Sequence, residues 1–281
     1  MTRTCWLASY PRSGNTWMRV LLAHVLFPTA HGHSVNAIPL ESTVSSSRAV
    51  FDEVSGLPSA WLSPEEIDDL RPAVDAAVRA RGRHAVGGLQ LRKAHDACRQ
   101  LPNGRWLMGT APDCLAIYVM REPWDVAVSF AAYFGYSLED AVAFLERPTA
   151  SLAHDPNRWF PQLPQILGSW ADHVNSWQSA PMPVHFVHYE ALRRDTLATL
   201  EQVVQFLGLR VERGVLRTAV SQSAFDVLQA QEHREAFREA TTHAPFFRRG
   251  KSGEGLTALT PLQVERLRRL RDQVSLPQGD V

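Results

Sequence analysis

The sequence predicts an α/β fold of three layers, in which a central parallel sheet is flanked by helices. Short apolar runs that suit buried strands alternate along the chain with longer amphipathic runs that suit helices. The chain has 281 residues, of which 45% are hydrophobic and 21% charged, and this is sufficient for one large globular domain. We therefore expect residues 1–281 to form a single domain.

Apolar runs predict the strands, and amphipathic or well-capped runs predict the helices. The predicted strands are 4–9, 85–93, 115–120 and 184–188. The predicted helices are 16–26, 63–79, 124–133, 138–145, 165–177, 196–206, 212–220 and 261–274. Ser63 and Pro64 form a typical helix start, whereas Pro72 is expected to break or kink that helix. Residues 28–63 are rich in Ser, Pro and Gly, which predicts a loop with short helical pieces.

The charge balance and the cysteines limit the classes of partner. The chain carries 29 Lys and Arg against 29 Asp and Glu, so no overall field favours nucleic acid or an anionic membrane. Cys5, Cys98 and Cys114 are widely spaced, which argues against a zinc site or a disulfide framework and suits a reducing cytosol. No apolar run approaches the ~18 residues of a membrane span, and no basic leader precedes a long apolar segment. We expect a cytoplasmic protein with no nucleic-acid partner and no membrane span.

The turn at residues 9–17, with the sequence SYPRSGNTW, joins the first predicted strand to the first predicted helix. A helix N-terminus presents unsatisfied N–H groups and partial positive charge, and therefore favours an anion. Gly14 permits close backbone approach, the hydroxyls of Ser13 and Thr16 are donors, and Arg12 is a fixed cation. The turn predicts a phosphate or sulfate site; the alternative is an ordinary strand–helix turn with a Ser or Asn cap.

Lys93 and His95 lie at the end of the second predicted strand. Carboxyl ends of parallel strands face the ligand crevice, so this pair and the Arg12 turn share one edge of the sheet. Residues two apart in an extended chain project to the same side. An imidazole beside a cation could be a general base with an electrostatic partner. The alternative is that His95 is a polar strand-end residue with no chemical role.

Arg121 and Ser129 follow the third predicted strand, at its end and about two helical turns further on. Both could bind one phosphate, because an arginine provides paired N–H donors and a serine provides a hydroxyl. The alternative is a capping arginine that pairs with Asp125 or Glu122.

The loop at residues 245–253, PFFRRGKSG, combines cations, aromatic residues and flexible glycines. Such a loop predicts a lid that closes over an anionic ligand, and the alternative is solvated surface. Tyr189 follows the fourth predicted strand, where its ring could stack on a base or could merely pack.

Together these segments resemble the sulfotransferases that use 3′-phosphoadenosine-5′-phosphosulfate (PAPS). Residues 10–17 are similar to the 5′-phosphosulfate loop of that family, and residues 93–95 to its Lys-x-His element. Residues 121–129 are similar to its 3′-phosphate-binding segment, and residues 247–253 to its C-terminal Arg-Lys-Gly-x-x-Gly loop. The resemblance implies a P-loop-like version of the three-layer fold and a PAPS-dependent sulfotransferase, similar in general pattern to bacterial enzymes that sulfate natural products.

The resemblance also implies roles for individual residues. His95 would be the general base, Lys93 a cation near the sulfuryl group, and Arg12 a support for the leaving bridge oxygen. Residues implied to bind the nucleotide are Arg12, Ser13, Gly14, Asn15, Thr16, Trp17, Arg121, Ser129, Tyr189, Ser223, Phe225, Phe247, Arg248, Arg249 and Gly250. Transfer would be an in-line displacement that leaves adenosine 3′,5′-bisphosphate, with no metal because Arg12 and Lys93 supply positive charge. The acceptor would be a hydroxyl or amine of a small molecule, and the enzyme could be a homodimer.

The sequence departs from the family pattern at several positions, and two other function classes stay open. Arg12 replaces the commoner lysine, and a guanidinium is bulkier and cannot donate its proton. Gly253-Glu254-Gly255 replaces a frequent Gly-Asp-Trp. A P-loop kinase would share the sheet, but G-x-x-x-x-G-K-[ST] is incomplete because Pro245 stands where its first glycine belongs. A nucleotide-binding module without activity is the third class, and the presence of both Lys93 and His95 argues against it.

Overall fold

The parallel sheet predicted from the sequence is confirmed. The structure, a computed structural model, describes residues 3–38, 45–81, 86–109, 112, 114–155 and 158–274. Within these residues the strands are β1 (Arg3–Ala8), β2 (Leu89–Ala94), β3 (Cys114–Met120), β4 (Ser151–Leu152), β5 (Gln165–Ile166) and β6 (Val184–His188). The central sheet has the order β2-β1-β3-β6, and all its neighbouring strands are parallel. Strands β4 and β5 form a separate antiparallel pair.

Helices follow the strands in the alternation that the sequence predicts. In the described part of the chain they are α1 (Asn15–Leu26), α2 (Arg48–Ser55), α3 (Pro64–Arg81), α4 (Pro123–Phe134), α5 (Leu138–Glu146), α6 (Trp170–Gln178), α7 (Tyr189–Arg194), α8 (Thr196–Phe206), α9 (Arg213–Gln222), α10 (Phe225–Glu235), α11 (Glu254–Ala258) and α12 (Pro261–Asp272). A short 3₁₀ turn occupies Ser59–Trp61.

Strand β1 lies inside the sheet, and its side chains alternate between two hydrophobic cores. Trp6 and Ala8 pack into the core that contains residues of α4, α5, α6 and α12. Cys5 and Leu7 pack into the other core, which contains residues of α1, α8 and α9. Helices therefore cover both faces of the sheet, as the three-layer prediction requires.

Parallel pairing brings the carboxyl ends of the four central strands to one edge. The register places Ala8 beside Ala94 and Tyr118. It also places Met120 beside His188. The residues that follow these strand ends include most of the polar residues singled out from the sequence, so the fold assembles them at that edge.

Strand β2 begins later than predicted because two glycines turn the backbone. Strand β2 begins at Leu89 rather than at residue 85, which lies outside the described residues. Gly87 (φ 57°) and Gly88 (φ 76°) adopt left-handed backbone and fold Val86 back onto Leu89.

The predicted helix 165–177 is wrong over its first residues. Gln165–Ile166 is strand β5, and Gly168, with φ 71°, turns the chain before Ser169 caps α6. Pro72 does not end α3, which continues to Arg81.

The helices α7, α10 and α11 were not predicted. Two of them begin at residues that were considered as nucleotide contacts, Tyr189 and Phe225. Helix α2 falls in the segment that was predicted to be a loop with short helical pieces.

Buried ion pairs attach α3 to the carboxyl end of β2. Arg71 donates from both terminal nitrogens to the two carboxylate oxygens of Asp96, at 2.8 and 2.7 Å. Arg92 Nη1 lies 2.6 Å from Asp75 Oδ1. All four side chains are buried. Because Arg92 and Asp96 flank the Lys93–His95 segment, these pairs hold that segment at the sheet edge.

We expect Asp96→Asn to destabilise the fold strongly, because buried Arg71 would lose its closest counter-charge and keep only the longer contact to Asp68, at 3.6 Å. Loss of one partner of a buried pair costs about 3–5 kcal/mol of unfolding free energy. Urea denaturation would measure the loss. Glu201→Gln is the control, since Glu201 pairs with the exposed Arg213, and an exposed pair contributes about 1 kcal/mol or less. Equal losses in the two variants would contradict this role of Asp96.

Candidate active site

A cavity of about 530 Å³ lies at the carboxyl edge of the sheet. Its walls come from the turn after β1, the end of β2, helix α4, the start of α7 and the segment between α10 and α11. Polar and aromatic lining residues include Arg12, Asn15, Thr16, Trp17, Lys93, His95, Arg121, Ser129, Tyr133, Tyr189, Phe225, Glu239, Phe246, Phe247, Arg248 and Arg249. The cavity therefore brings together residues from each segment that the sequence analysis singled out.

The turn after β1 depends on a glycine. Gly14 precedes α1 with φ 106°, a conformation that other residues rarely adopt. A Cβ at this position would lie 2.7 Å from Cδ2 of Tyr189. The absence of a side chain therefore lets the Tyr189 ring pack against the turn. The N-terminus of α1 lines the cavity here, and its first N–H groups have no partner within the helix.

Two polar side chains of this turn donate hydrogen bonds to backbone carbonyls elsewhere in the fold. Asn15 Nδ2 donates to the carbonyl of Leu7 at 2.9 Å, so this amide fastens the turn to β1. Trp17 Nε1 donates to the carbonyl of Ser223 at 2.8 Å. Ser13 Oγ is buried without a partner among the described residues.

Arg12 is held between two aromatic rings. Its guanidinium carbon lies 4.2 Å from the ring centre of Tyr133 and 4.3 Å from that of Phe246. Arg12 Nε donates to Ser129 Oγ at 3.2 Å, and Nη2 donates to the carbonyl of Phe246 at 3.2 Å. Burial lowers the pKa of Arg12 to about 10, so the group stays charged at neutral pH. A planar guanidinium stacks between rings as an ammonium does not, which explains the arginine at this position.

His95 has its tautomer set by the chain itself. Nδ1 lies 2.9 Å from the carbonyl oxygen of Ser9. A carbonyl only accepts, so Nδ1 carries the proton and Nε2 is left as the acceptor nitrogen. Burial, followed by the charge of Lys93, lowers the pKa of His95 to about 3. The imidazole is therefore neutral near pH 7, with Nε2 able to accept a hydrogen bond.

Lys93 forms an ion pair that the sequence did not predict. Its Nζ lies 3.4 Å from Oε2 of Glu239. Burial lowers the pKa of Lys93 to about 8, and the charge of Glu239 opposes that shift. Glu239 also forms an ion pair with Arg19 and accepts from Thr16 Oγ1 at 3.4 Å. Burial raises the pKa of Glu239, but the charges of Lys93 and Arg19 outweigh it and the pKa falls to about 2.

Arg121 lies over the ring of Tyr189, with 4.4 Å from the guanidinium carbon to the ring centre. Nη2 donates to the carbonyl of Lys251 at 2.9 Å, whereas Nε is buried with no partner among the described residues. Of the two acids considered as capping partners, Asp125 accepts from the N–H of Gly253 at 2.7 Å. Glu122, the other, pairs with Arg271.

The C-terminal loop is anchored rather than held loosely. Phe247 is buried in the core. A Cβ at Gly250, with φ 58°, would lie 2.4 Å from Cε2 of Phe225. Arg248 donates from both terminal nitrogens to the carboxylate of Glu254 at 2.8 Å, and Arg249 lies 3.1 Å from the same group. Arg248 and Arg249 are therefore already partnered by a carboxylate.

Two residues implied to bind the nucleotide lie outside the cavity lining. Ser13 is buried and does not line the cavity. Ser223 is also buried, its Oγ lies 3.0 Å from Nδ1 of His24, and its carbonyl supports Trp17. The remaining implied residues line the cavity. Tyr133 was not among the residues implied to bind the nucleotide, although it lies one helical turn beyond Ser129 and the spacing could have indicated its place beside Arg12. Glu239 was also missed, and no motif surrounds it.

The arrangement suits transfer of an anionic group. Buried cations, a helix N-terminus and hydroxyl donors could stabilise growing negative charge, and His95 Nε2 could receive a proton. Among the described residues no group of His, Cys, Asp and Glu is placed to hold a metal ion. No helix among the same residues has the length and apolar character needed to span a membrane.

Comparison with known proteins gives a consistent family. The family model of the sulfotransferase domain matches residues 2–274. Sulfotransferase 2A1 of Macaca fascicularis is 25% identical over 265 residues, which covers 92% of this chain and 79% of the relative. Cytosolic sulfotransferase 16 of Arabidopsis thaliana is 24% identical over 281 residues, which covers 93% of this chain and 72% of the relative.

Solved structures share the fold. Mouse sulfotransferase SULT7A1 complexed with PAP has a TM-score of 0.60 at 20% identity, covering 95% of this chain and 83% of that chain. Retinol dehydratase in a complex with retinol and PAP has a TM-score of 0.65 at 15% identity, covering 99% of this chain and 84% of that chain. At these identities the likeness supports the fold alone, and it agrees with the three-layer α/β arrangement.

We expect Gly14→Ala to destabilise the fold more than Gly56→Ala. Both glycines have positive φ, but nothing lies within 4 Å of a Cβ at Gly56. Left-handed strain of about 1–2 kcal/mol should appear in both variants, and overpacking against Tyr189 should add about 1–3 kcal/mol only in Gly14→Ala. Denaturant unfolding would measure the difference. Equal losses would mean that the ring moves aside without cost.

Proposed function

The chain belongs to the sulfotransferase domain family, and from that premise we propose that it transfers a sulfuryl group from PAPS to a hydroxyl of a small-molecule acceptor. The observation that carries the proposal is His95, neutral and with Nε2 as its acceptor nitrogen, beside Lys93 in the cavity that holds the anion turn. We treat residues 1–281 as a single sulfotransferase domain.

The residues of the cavity fit a nucleotide with two anionic ends. The N-terminus of α1, with the hydroxyl of Thr16, suits the 5′ end. Arg121 has a buried Nε with no partner among the described residues, and with Ser129 it suits the 3′-phosphate. Trp17 and Tyr189, whose ring centres lie 5.8 Å apart, suit the adenine. When bound, PAPS supplies the sulfuryl group and leaves as adenosine 3′,5′-bisphosphate.

His95 acts as the general base in this proposal. The carbonyl of Ser9 holds Nδ1–H, so Nε2 is the nitrogen that takes the proton of the attacking hydroxyl. Lys93 and Arg12 stabilise the negative charge that grows as the bridging bond breaks, and no metal is required for this role. In-line transfer of this kind depends mainly on positioning and electrostatics.

The acceptor side of the cavity has apolar walls. They are formed by Phe134, Leu152, Phe160 and Pro161. Apolar walls with a few polar groups suit a small molecule that carries a hydroxyl or an amine, and natural products are within that class. Free, buried thiols at all three cysteines are in keeping with a cytoplasmic location. Homodimer formation stays a prediction.

Transfer from labelled PAPS to a panel of phenols, glycolipids, peptides and hydroxylated natural products would test the proposal directly. Metal-free binding separates it from the kinase alternative. A sulfotransferase should bind adenosine 3′,5′-bisphosphate in EDTA, whereas a kinase should prefer Mg-ATP. Binding of the bisphosphate without sulfuryl transfer to any acceptor of a broad panel would favour the third class, a nucleotide-binding module without activity.

We expect His95→Ala to abolish turnover and to leave the affinity for adenosine 3′,5′-bisphosphate nearly intact. A general base contributes about 10²–10⁴-fold to the rate, so a residual kcat above about a tenth of the wild-type value would contradict the role. Steady-state kinetics at saturating acceptor would measure kcat, and calorimetric titration would measure the affinity for the bisphosphate. His154→Ala, a change at an exposed histidine outside the cavity lining, is the matched control and should keep wild-type activity.

We expect Arg121→Ala to weaken PAPS binding by roughly tenfold to a hundredfold, because a charged hydrogen bond contributes about 1.5–3 kcal/mol. The same variant should bind adenosine 5′-phosphosulfate, which has no 3′-phosphate, as well as the wild type does. Competition binding with the two ligands separates the effects. Equal losses for both would mean that Arg121 supports the site through Arg12 and Lys251, whose carbonyls it contacts.

A further inference from the structure

Glu239 already binds the hydrogen-bond donors that an incoming anion would need. Its carboxylate contacts Lys93 Nζ and Thr16 Oγ1 at 3.4 Å each, and it pairs with Arg19. Thr16 belongs to the turn of the anion site, and Lys93 is the cation beside His95. An acidic side chain therefore lies between the two parts of the cavity that suit the phosphosulfate.

Buried charge explains why a carboxylate is present there. The Arg19 and Lys93 side chains are 3% and 12% exposed, and both contact the same carboxylate. Two buried cations with no counter-charge would destabilise the free protein, and Glu239 removes that cost. The same arrangement opposes a ligand, because a second anion at Lys93 and Thr16 meets a like charge within contact distance.

The backbone at Glu239 is fastened to α4. Tyr133 donates its hydroxyl proton to the carbonyl of Glu239 at 2.8 Å, and Thr241 Oγ1 donates to the carbonyl of Tyr133 at 2.7 Å. Displacement of the carboxylate therefore requires rotation of the Glu239 side chain, and the segment around it can stay in place.

We propose that Glu239 is an internal anion that competes with the phosphosulfate of PAPS for Lys93 and Thr16, and so sets the affinity of the site for the nucleotide. The inference rests on the proposed function, since it takes PAPS as the donor. Entry of the donor releases Lys93 from Glu239, and loss of the sulfuryl group lets the carboxylate return. Glu239 thereby weakens the hold on the product adenosine 3′,5′-bisphosphate.

Calorimetric titration of adenosine 3′,5′-bisphosphate in EDTA, with Glu239→Gln beside the wild type, tests the inference. The glutamine keeps the size of the side chain and removes its charge. We expect the variant to bind about tenfold more tightly or better, the size of one charged hydrogen bond. Glu235→Gln is the matched control: it makes the same change of charge four residues away, at a side chain that bonds Ser34 outside the cavity lining, and its affinity should stay at the wild-type value.

An unchanged or weaker affinity in Glu239→Gln would overturn the inference while the proposed function stood. An equal gain in Glu235→Gln would also overturn it, since the effect would then be one of overall charge. If neither the wild type nor Glu239→Gln binds the bisphosphate, the proposed function fails and the inference with it. If Glu239→Gln binds the bisphosphate and the wild type does not, both the proposed function and the inference stand.

A second pair of variants covers the case in which Glu239→Gln does not fold because Arg19 is left unpaired. Arg19→Met removes the buried cation, and Arg19→Met/Glu239→Gln removes both charges of the pair. The double variant should bind the bisphosphate severalfold more tightly than Arg19→Met alone, because Lys93 and Thr16 are released. Equal affinity of these two variants would overturn the inference.

Discussion

Buried positive charge at the carboxyl edge of the sheet is the constraint on which the site depends. Arg12, Lys93 and Arg121 line one cavity, and the buried Arg19 pairs with Glu239 of the same lining. A cation held away from water needs a compensating partner. Much of the surrounding structure supplies such partners: aromatic rings for Arg12, backbone carbonyls for Arg121, and the Glu239 carboxylate for Lys93 and Arg19.

Close packing at glycines lets these partners reach the cations. Tyr189 stacks on Arg121 because Gly14 has no side chain in its way, and Phe225 packs against Gly250 for the same reason. The Asn15 amide then ties the turn back to β1. Electrostatics and sterics therefore act together at Gly14, where a change would disturb the position of Arg121 as well as the packing.

His95 shows how the scaffold prepares a group for chemistry. One backbone carbonyl selects its tautomer, and burial keeps it neutral. His173 Nε2 lies 2.9 Å from the carbonyl of His95, and Asp96, the next residue, is paired with Arg71. Ser9 thus holds the imidazole at Nδ1, while His173 and the Arg71–Asp96 pair hold the backbone that carries it.

The sequence by itself determined the sheet, the order of its motifs and most of the cavity residues. Hydrophobic periodicity and the Arg12, Lys93 and Arg121 motifs are local signals, and parallel strands must bring their carboxyl ends together. The tertiary structure alone decided what those cations touch. Glu239 lies far from Lys93 along the chain and has no motif around it, and Glu254 was noted only as a departure from the family loop. The pairing of carboxylates with cations depends on the path of the chain between α10 and α11 and on the burial that this path creates. Local sequence spacing predicts neither of them.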